Sequence, residues 1–346
     1  MKRVSTAILG ASGYTGSELL RLLLLHPQVD LVAVTSRTHA GKAIAEVFPR
    51  FAALPGADLE FIEPDMDAVA AGGAEVAFLA LPHGKAAGYA TALLQHAVKV
   101  IDLSADFRLR DAAVYEEFYG APHPAPELLG EAVYGLPEAR REAIADARLI
   151  ASPGCYPTSI LLPLLPLVRE KLIDPSTIVA NSMSGVSGAG RKAEVPLLFV
   201  ECNESVRAYG LPKHRHLSEI EQELSAAAGH EVCITFVPHL VPVNKGICTS
   251  TTATLVGDVP DAVEHALRST YENSPFVRLL GAGGNPDTKN VTHTNFIDIG
   301  WHHDARTGRL LVLSTEDNLG KGAAGQAVQS MNLLCGFGET SGLLGV

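Results

Sequence analysis

Cys155 stands in the run Ala151-Ser152-Pro153-Gly154-Cys155-Tyr156-Pro157-Thr158-Ser159. A Pro-Gly pair turns the chain directly before the sulfur. Pro157 falls where a helix accepts proline, among its first residues, and the apolar Ile160-Leu161-Leu162 follows. This spacing predicts a thiol at the mouth of a helix, where the positive end of the dipole favours the thiolate. A thiolate is what a nucleophilic cysteine needs. The other four cysteines lack that setting. Cys233 and Cys248 lie in strand-like runs, Cys335 in a helical tail and Cys202 between Glu201 and Asn203. The second group capable of proton chemistry is Lys213-His214-Arg215-His216, just ahead of a helix from Ser218. Histidine accepts or donates a proton near neutral pH, and a thiol nucleophile works with such a partner. A His-x-His pair also suits a helix start or a surface. No third ligand stands at useful spacing, so no metal is expected. His302-His303 reads as structural.

Charge and glycine mark three further places. Gly10-Ala11-Ser12-Gly13-Tyr14-Thr15-Gly16 joins a first strand to a first helix. Glycines there let the backbone approach a pyrophosphate, and the helix start supplies N–H donors. The spacing is G-x-x-G-x-x-G, which also suits a tight strand-to-helix turn. The second strand ends Val34-Thr35-Ser36-Arg37-Thr38, with a hydroxyl and a guanidinium where an NAD site commonly carries an acid. Ser36 and Arg37 therefore favour NADP. Arg108 follows a strand end, Arg191 closes the loop Gly185-Val186-Ser187-Gly188-Ala189-Gly190, and Lys245 follows Pro242-Val243-Asn244. Each suits a carboxylate or phosphate, and each equally suits an ordinary surface charge.

Positioning these residues requires a particular order of elements. Val4–Leu9, Val29–Thr35, Ala74–Ala80, Val98–Leu103 and Arg148–Ser152 read as short buried strands, with helices over Ser17–Leu25 and Gly84–Ala97. Alternation of this kind predicts a parallel sheet covered by helices on both faces. From about Thr177 the runs lengthen into a second α+β domain: Thr177–Ser182, Glu231–Val237, Cys248–Val256, and a hairpin from Phe296 to Leu313 turning at Asp304–Gly308. Helices are expected over Ser218–Ala228, Asp261–Asn273 and Gly322–Leu334.

Bulk properties narrow the classes. The chain has 346 residues, 47% hydrophobic and 19% charged, enough for two cored domains and unlike a disordered chain. A formal net charge of -11 gives nucleic-acid binding no electrostatic support. Five cysteines without a close pair suggest free thiols in a reducing compartment. The N-terminus reaches glycine too soon for a signal peptide, and the longest apolar runs are too short and proline-rich for a membrane span. A cytoplasmic protein is the expectation.

The motifs together resemble the N-acetyl-γ-glutamyl-phosphate reductase family. The matching pieces are GASGYTGSELL (10–20), LALPHG (79–84), DLSADFRL (102–109), YGLPE (134–138), SPGCYPT (152–158), SGVSGAGR (184–191), HRHLSEI (214–220), PHLVPVNKGI (238–247) and DNLGKGAAGQAVQ (317–329). The resemblance implies an α/β fold: a Rossmann-like doubly wound parallel sheet over 1–151 and 316–346, with a second α+β domain, 152–315, for catalysis and oligomerisation. It implies NADPH-dependent reduction of an acyl phosphate to an aldehyde in a homo-oligomer, dimer or tetramer, of arginine biosynthesis. On this reading Cys155 forms a thioester, and a histidine of the HRH motif moves protons, His216 before His214. Arg108, Arg191 and Lys245 hold substrate anions; the Lys245 position is usually arginine in the family. Leu81, Pro82, Ser187, Gly188 and Asn318 join Gly10, Ser12, Gly13, Tyr14, Thr15, Gly16, Ser36 and Arg37 as cofactor contacts. A sister reductase acting on carrier-bound aminoadipyl phosphate, the more distant aspartate-semialdehyde dehydrogenase, and a non-catalytic nucleotide-sensing regulator are the rival readings.

Overall fold

The computed structural model describes residues 3–191, 193–257 and 260–345. In chain order it begins with β1 (Val4–Leu9), α1 (Tyr14–Leu24), β2 (Val29–Thr35), α2 (Ile44–Val47), β3 (Phe61–Ile62), α3 (Met66–Ala71), β4 (Val76–Leu79), α4 (Ala86–Gln95), β5 (Lys99–Asp102), α5 (Ala112–Tyr119), β6 (Val133–Tyr134), α6 (Pro137–Ala145) and β7 (Leu149–Ala151). Then come α7 (Cys155–Arg169), β8 (Ile173–Gly185), α8 (Phe199–Cys202), β9 (Arg207–Ala208), α9 (Arg215–Ala228), β10 (Thr235–Val241), β11 (Ile247–Leu255), α10 (Pro260–Tyr271), β12 (Val277–Ala282), β13 (Ile297–Asp304), β14 (Arg309–Glu316), a π-helical turn (Gly320–Ala324) and α11 (Gly325–Leu334).

Two compact units result, Met1–Pro153 with Ala323–Val346, and Gly154–Gly322. The return crossing thus falls at 322/323, later than the expected 315/316. The reason is local: Asp317 and Asn318 bond to loops of the second unit, as described below.

In the first unit all seven strands run parallel, in the order β3-β2-β1-β4-β5-β7-β6. Their residues are buried on both faces, Ala7, Leu9, Ala77, Leu79 and Val100 on one and Ile8, Phe78 and Ile101 on the other, as expected where crossover helices cover a parallel sheet. Strand order reverses between β1 and β4, the position where open α/β sheets bind ligands. The returning α11 packs against α1 and α6. Its Gln329 Nε2 donates to Glu138 Oε1 at 3.0 Å, and Arg141 pairs with Glu339 at 2.6 Å.

The second unit is a mixed sheet, β12-β13-β14-β11-β8-β10-β9. The expected hairpin is β13–β14, paired antiparallel from Ile297↔Glu316 to Asp304↔Arg309. β8 runs longer at both ends than its apolar stretch suggests, because β11 and β10 pair along it. Ile178, Ala180 and Ser182 of β8 are buried, whereas Val179, Asn181 and Met183 on the opposite face are not, Met183 being 47% exposed. Helix α7 covers the buried face, flanked by α9 and α10.

Candidate active site

Helix α7 begins at Cys155, with Gly154 as its extended N-cap. The helix carries Pro163 and Pro166 in its interior, and each proline removes a donor to the carbonyl four residues back. Those two carbonyls find other partners. Ser314 Oγ donates to Ser159 O at 2.7 Å, and Tyr271 O–H donates to Leu162 O at 2.5 Å. Ser159 Oγ, Thr249 Oγ1 and Ser182 Oγ form a further hydrogen-bonded chain into the sheet. The two prolines therefore anchor α7 sideways to β14 and α10, and hold its first residue in place.

Helix α9 carries the histidines. His214 is its N-cap, and His214 Nδ1 accepts the His216 N–H at 3.1 Å. An accepting Nδ1 leaves the proton of the neutral ring on Nε2. Burial pushes His214 down to about 4, and the neighbouring Arg215 charge adds to that. His214 is thus a neutral imidazole at physiological pH with Nε2–H as its donor. His216 spends its backbone N–H, not its ring, on this cap. The Tyr156 ring meets both imidazoles edge-on, with centroids 5.7 Å from His214 and 5.9 Å from His216. Tyr209 O–H donates to Tyr156 Oη at 2.9 Å, and burial pushes Tyr209 up to about 12 and Tyr156 higher still. The aromatic cluster stays uncharged and walls the histidines.

Glu219 ties the two helices together. Its carboxylate is buried, and Oε1 accepts the Gly154 N–H at 2.9 Å. It follows His216 by three residues, one helical turn along the same face; that spacing was the available signal, and sequence reasoning passed over it. Gly322 closes the floor. A Cβ added there would lie 2.8 Å from Cys155 Cβ and 2.9 Å from Glu316 Oε1.

The remaining residues of this unit gather at one loop cluster. Gly185 lies so close to the 244–245 peptide that a Cβ would meet Asn244 O at 2.6 Å. Asn318 clasps both loops: Nδ2 donates to Ser187 Oγ at 3.0 Å, and Oδ1 accepts the Gly246 N–H at 2.8 Å. Gly188 packs on Ser184 Oγ. Lys245 Nζ sits 3.8 Å from Asp317 Oδ2, while Arg191 is exposed just beyond the loop. The expected cofactor contacts Ser187, Gly188 and Asn318 thus share a cluster with Lys245. The Asn318 amide acts there as a clasp.

In the first unit, the glycine loop is shaped by close backbone approaches. Gly10 has φ +82°, and a Cβ there would lie 2.5 Å from Ala80 O. At Gly16 a Cβ would meet Ala11 Cα at 2.6 Å. Gly13 is the N-cap of α1 and supplies no side-chain cap to the first N–H groups, including those of Tyr14 and Thr15. These are the properties of a pyrophosphate cradle. Ser12 Oγ and Ser36 Oγ are 3.0 Å apart, and Arg37 is exposed with Nη2 donating to Tyr89 Oη. Leu81 and Pro82 start the loop after β4, which Asp106 holds by accepting the Gly84 and Ala87 N–H groups at 2.6 and 3.0 Å. Arg108 is buried: Nε donates to Ser152 O at 2.8 Å, and Nη2 to Leu103 O at 2.9 Å. These bonds brace the chain between β7 and Cys155. Among the described residues no three His, Cys, Asp or Glu side chains are grouped to hold a metal, and no helix is long and apolar enough to cross a membrane.

Comparison with known proteins places this geometry in a family. The model of the semialdehyde dehydrogenase NAD binding domain matches residues 5–147, and that of the semialdehyde dehydrogenase dimerisation domain matches residues 155–318. The N-acetyl-gamma-glutamyl-phosphate reductase of Akkermansia muciniphila is 62% identical over 99% of both chains. That of Moorella thermoacetica is 51% identical over 98% of both. Among solved structures, aspartate semialdehyde dehydrogenase II of Vibrio cholerae shares the fold, with a TM-score of 0.72 at 18% identity, covering 97% of this chain and 99% of the other. The chain belongs to the N-acetyl-γ-glutamyl-phosphate reductase family of semialdehyde dehydrogenases.

Proposed function

We propose that the chain reduces N-acetyl-γ-glutamyl phosphate to N-acetylglutamate 5-semialdehyde, releasing inorganic phosphate, in arginine biosynthesis. The observation that carries this reading is Cys155 as the first residue of α7, tied through Glu219 to the helix that bears the histidine pair. The Cys155 thiolate attacks the acyl carbon, the bond from that carbon to the phosphate oxygen breaks, and an acyl thioester remains on Sγ. The nicotinamide cofactor supplies a hydride when bound. His216 shares a proton with the oxygen of the tetrahedral carbon on Sγ and takes it back as the C–S bond breaks, which frees the aldehyde and returns the thiolate. His214, neutral with Nε2–H as its donor, orients a substrate oxygen. Lys245, Arg191 and Arg108 are assigned to the substrate's anionic groups.

The Gly10–Gly16 cradle fits the pyrophosphate of a dinucleotide. We assign NADP as the preferred form, with Ser36 and Arg37 at the 2′-phosphate. The unpaired face of β8 around Met183, together with exposed Leu198, Phe199 and Val200, supports a homo-oligomer built on the second unit. The test is NADPH oxidation with enzymatically made N-acetyl-γ-glutamyl phosphate, or phosphate-dependent NADP reduction with the semialdehyde. Turnover in neither direction, or turnover confined to a carrier-bound aminoadipyl phosphate, overturns the assignment.

A further inference from the structure

Glu316 is a buried carboxyl that the reaction steps above leave unused. It ends β14, inside the sheet of the second unit, with Ile247 of β11 opposite on one side and Ile297 of β13 on the other. Side chains two apart on a strand share a face. Ser314 of that face donates to Ser159 O of α7, so Glu316 faces the turn of α7 before Ser159, where Cys155 stands. The π-helical turn shows how closely the two approach. The Gly322 N–H donates to Asp317 O, five residues back, at 2.9 Å, which brings Gly322 against both groups. A single Cβ there would meet Cys155 Cβ at 2.8 Å and Glu316 Oε1 at 2.9 Å. Glycine at this position leaves thiol and carboxyl side by side, and Glu316 is 0% exposed. Tyr156 of α7, His216 and Glu219 of α9, and Asp317 and Lys321 of the turn are the other ionisable groups around them. Glu219 accepts the Gly154 N–H, and Asp317 accepts those of Leu319 and Gly320. The Lys321 Nζ lies 6.0 Å from the Phe276 ring centre. Two negative charges this close in a buried site do not both form readily, because ionising one group opposes ionising the other.

We propose that Cys155 and Glu316 form a dyad that holds a single proton at neutral pH. The inference rests on the reading of Cys155 as the nucleophile. The exchange converts thiol and carboxylate into thiolate and carboxylic acid: the S–H bond breaks, an O–H bond forms, and the pair keeps one negative charge. A carboxyl is the stronger acid of the two, so the resting pair is mainly thiol and carboxylate. Attack on the acyl carbon draws on the thiolate form and leaves the proton on Glu316. When the C–S bond breaks, the returning thiolate recovers that proton. Glu316 is thus a positioning residue, for a proton, and acts through Cys155.

The experiment is alkylation of the whole protein by iodoacetamide from about pH 4 to about pH 10, with the Cys155 peptide quantified by mass spectrometry. Groups that interact by more than about one pK unit titrate in two steps. The rate at Cys155 in wild type should therefore rise in two steps. Glu316→Gln, which keeps the polarity, and Glu316→Leu, which keeps the volume, should each show one step. Both should react about tenfold faster than wild type near neutral pH, the effect of one pK unit. Glu219→Gln should keep both steps. A single step in wild type overturns the proposal, and so does a two-step profile in either Glu316 variant. Neither result touches the thioester reading, which stands or falls on turnover.

Discussion

The two units build their sites by different means. In the first, the glycine loop is a matter of backbone: Gly10 and Gly16 approach other main-chain atoms so closely that no side chain fits, and the helix after it starts without a side-chain cap. In the second, the site is held by side chains reaching backbone. Ser314, Tyr271, Glu219 and Asn318 each take up a main-chain group that the local structure leaves over. A backbone cradle binds what all dinucleotides share and recurs in many proteins. A side-chain scaffold fixes the position of one sulfur, that of Cys155. The first should fail when atoms are added, the second when atoms are removed.

The largest effect is expected in the second unit. Cys155→Ser should lower kcat by at least roughly 10³-fold, because a hydroxyl neither ionises nor forms the thioester. Cofactor affinity, measured by fluorescence titration, should be unchanged. Retention of a tenth of the activity would remove covalent catalysis from the mechanism, whereas Ser at Cys202, Cys233, Cys248 or Cys335 should be tolerated.

His216→Asn should lower kcat by ~10²–10⁴, the range for a lost general acid–base, and flatten one limb of the pH–rate profile. His214→Asn should act on KM. Interchanged signatures would reverse the roles assigned to the two rings.

The half-buried His214 also predicts a pH dependence of stability. Its folded value, about 4, lies below the ordinary 6.5. The unfolded chain therefore binds more protons between those two values, and the stabilising contribution is complete above pH 6.5 and lost as pH falls towards 4. The loss should reach about 3 kcal/mol. Urea unfolding of wild type and His214→Asn at pH 7 and 4.5 measures it; an identical pH slope in both would show that another group titrates.

In the first unit, Gly16→Ala adds a Cβ against the Ala11 main chain. It should cost about 2 kcal/mol of stability, the scale of overpacking a tight site, and raise KM for the cofactor while leaving alkylation of Cys155 by iodoacetamide unchanged. If KM stays put, the loop is a turn and no cradle. The smallest effect concerns Arg37. Arg37→Ala should raise KM for NADPH about tenfold, as expected on losing a charged partner, and leave KM for NADH alone. Equal changes in both would show that Arg37 does not read the 2′-phosphate.

Much of this protein was legible before any coordinates. Short β-branched runs divided by helices and glycine could only make a covered parallel sheet, and the Pro-Gly-Cys turn announced a helix start at the thiol. Those are local signals, carried by residues within a turn or two of one another. The hairpin at Asp304–Gly308 was equally plain, because five residues with a terminal glycine turn a chain wherever they stand. The full reach of β8 was not, since its polar ends, Asp174 and Ser184, are strand only because β11 pairs with them.

The sequence alone determined the chemical inventory: one thiol at a helix mouth, two histidines at another, a glycine loop, and the order of strands and helices that carries them. Tertiary structure alone decided how that inventory is divided. It made His214 a half-buried, neutral cap whose Nδ1 holds the His216 N–H, because desolvation and cap geometry arise only when α9 packs against Tyr156 and Phe236. It turned Arg108 towards Ser152 O and made Asn318 a clasp between two loops. It also matched Pro163 and Pro166 with a serine and a tyrosine more than 100 residues away. Contacts of that range leave no trace in spacing, since they depend on which surfaces the folded chain brings together.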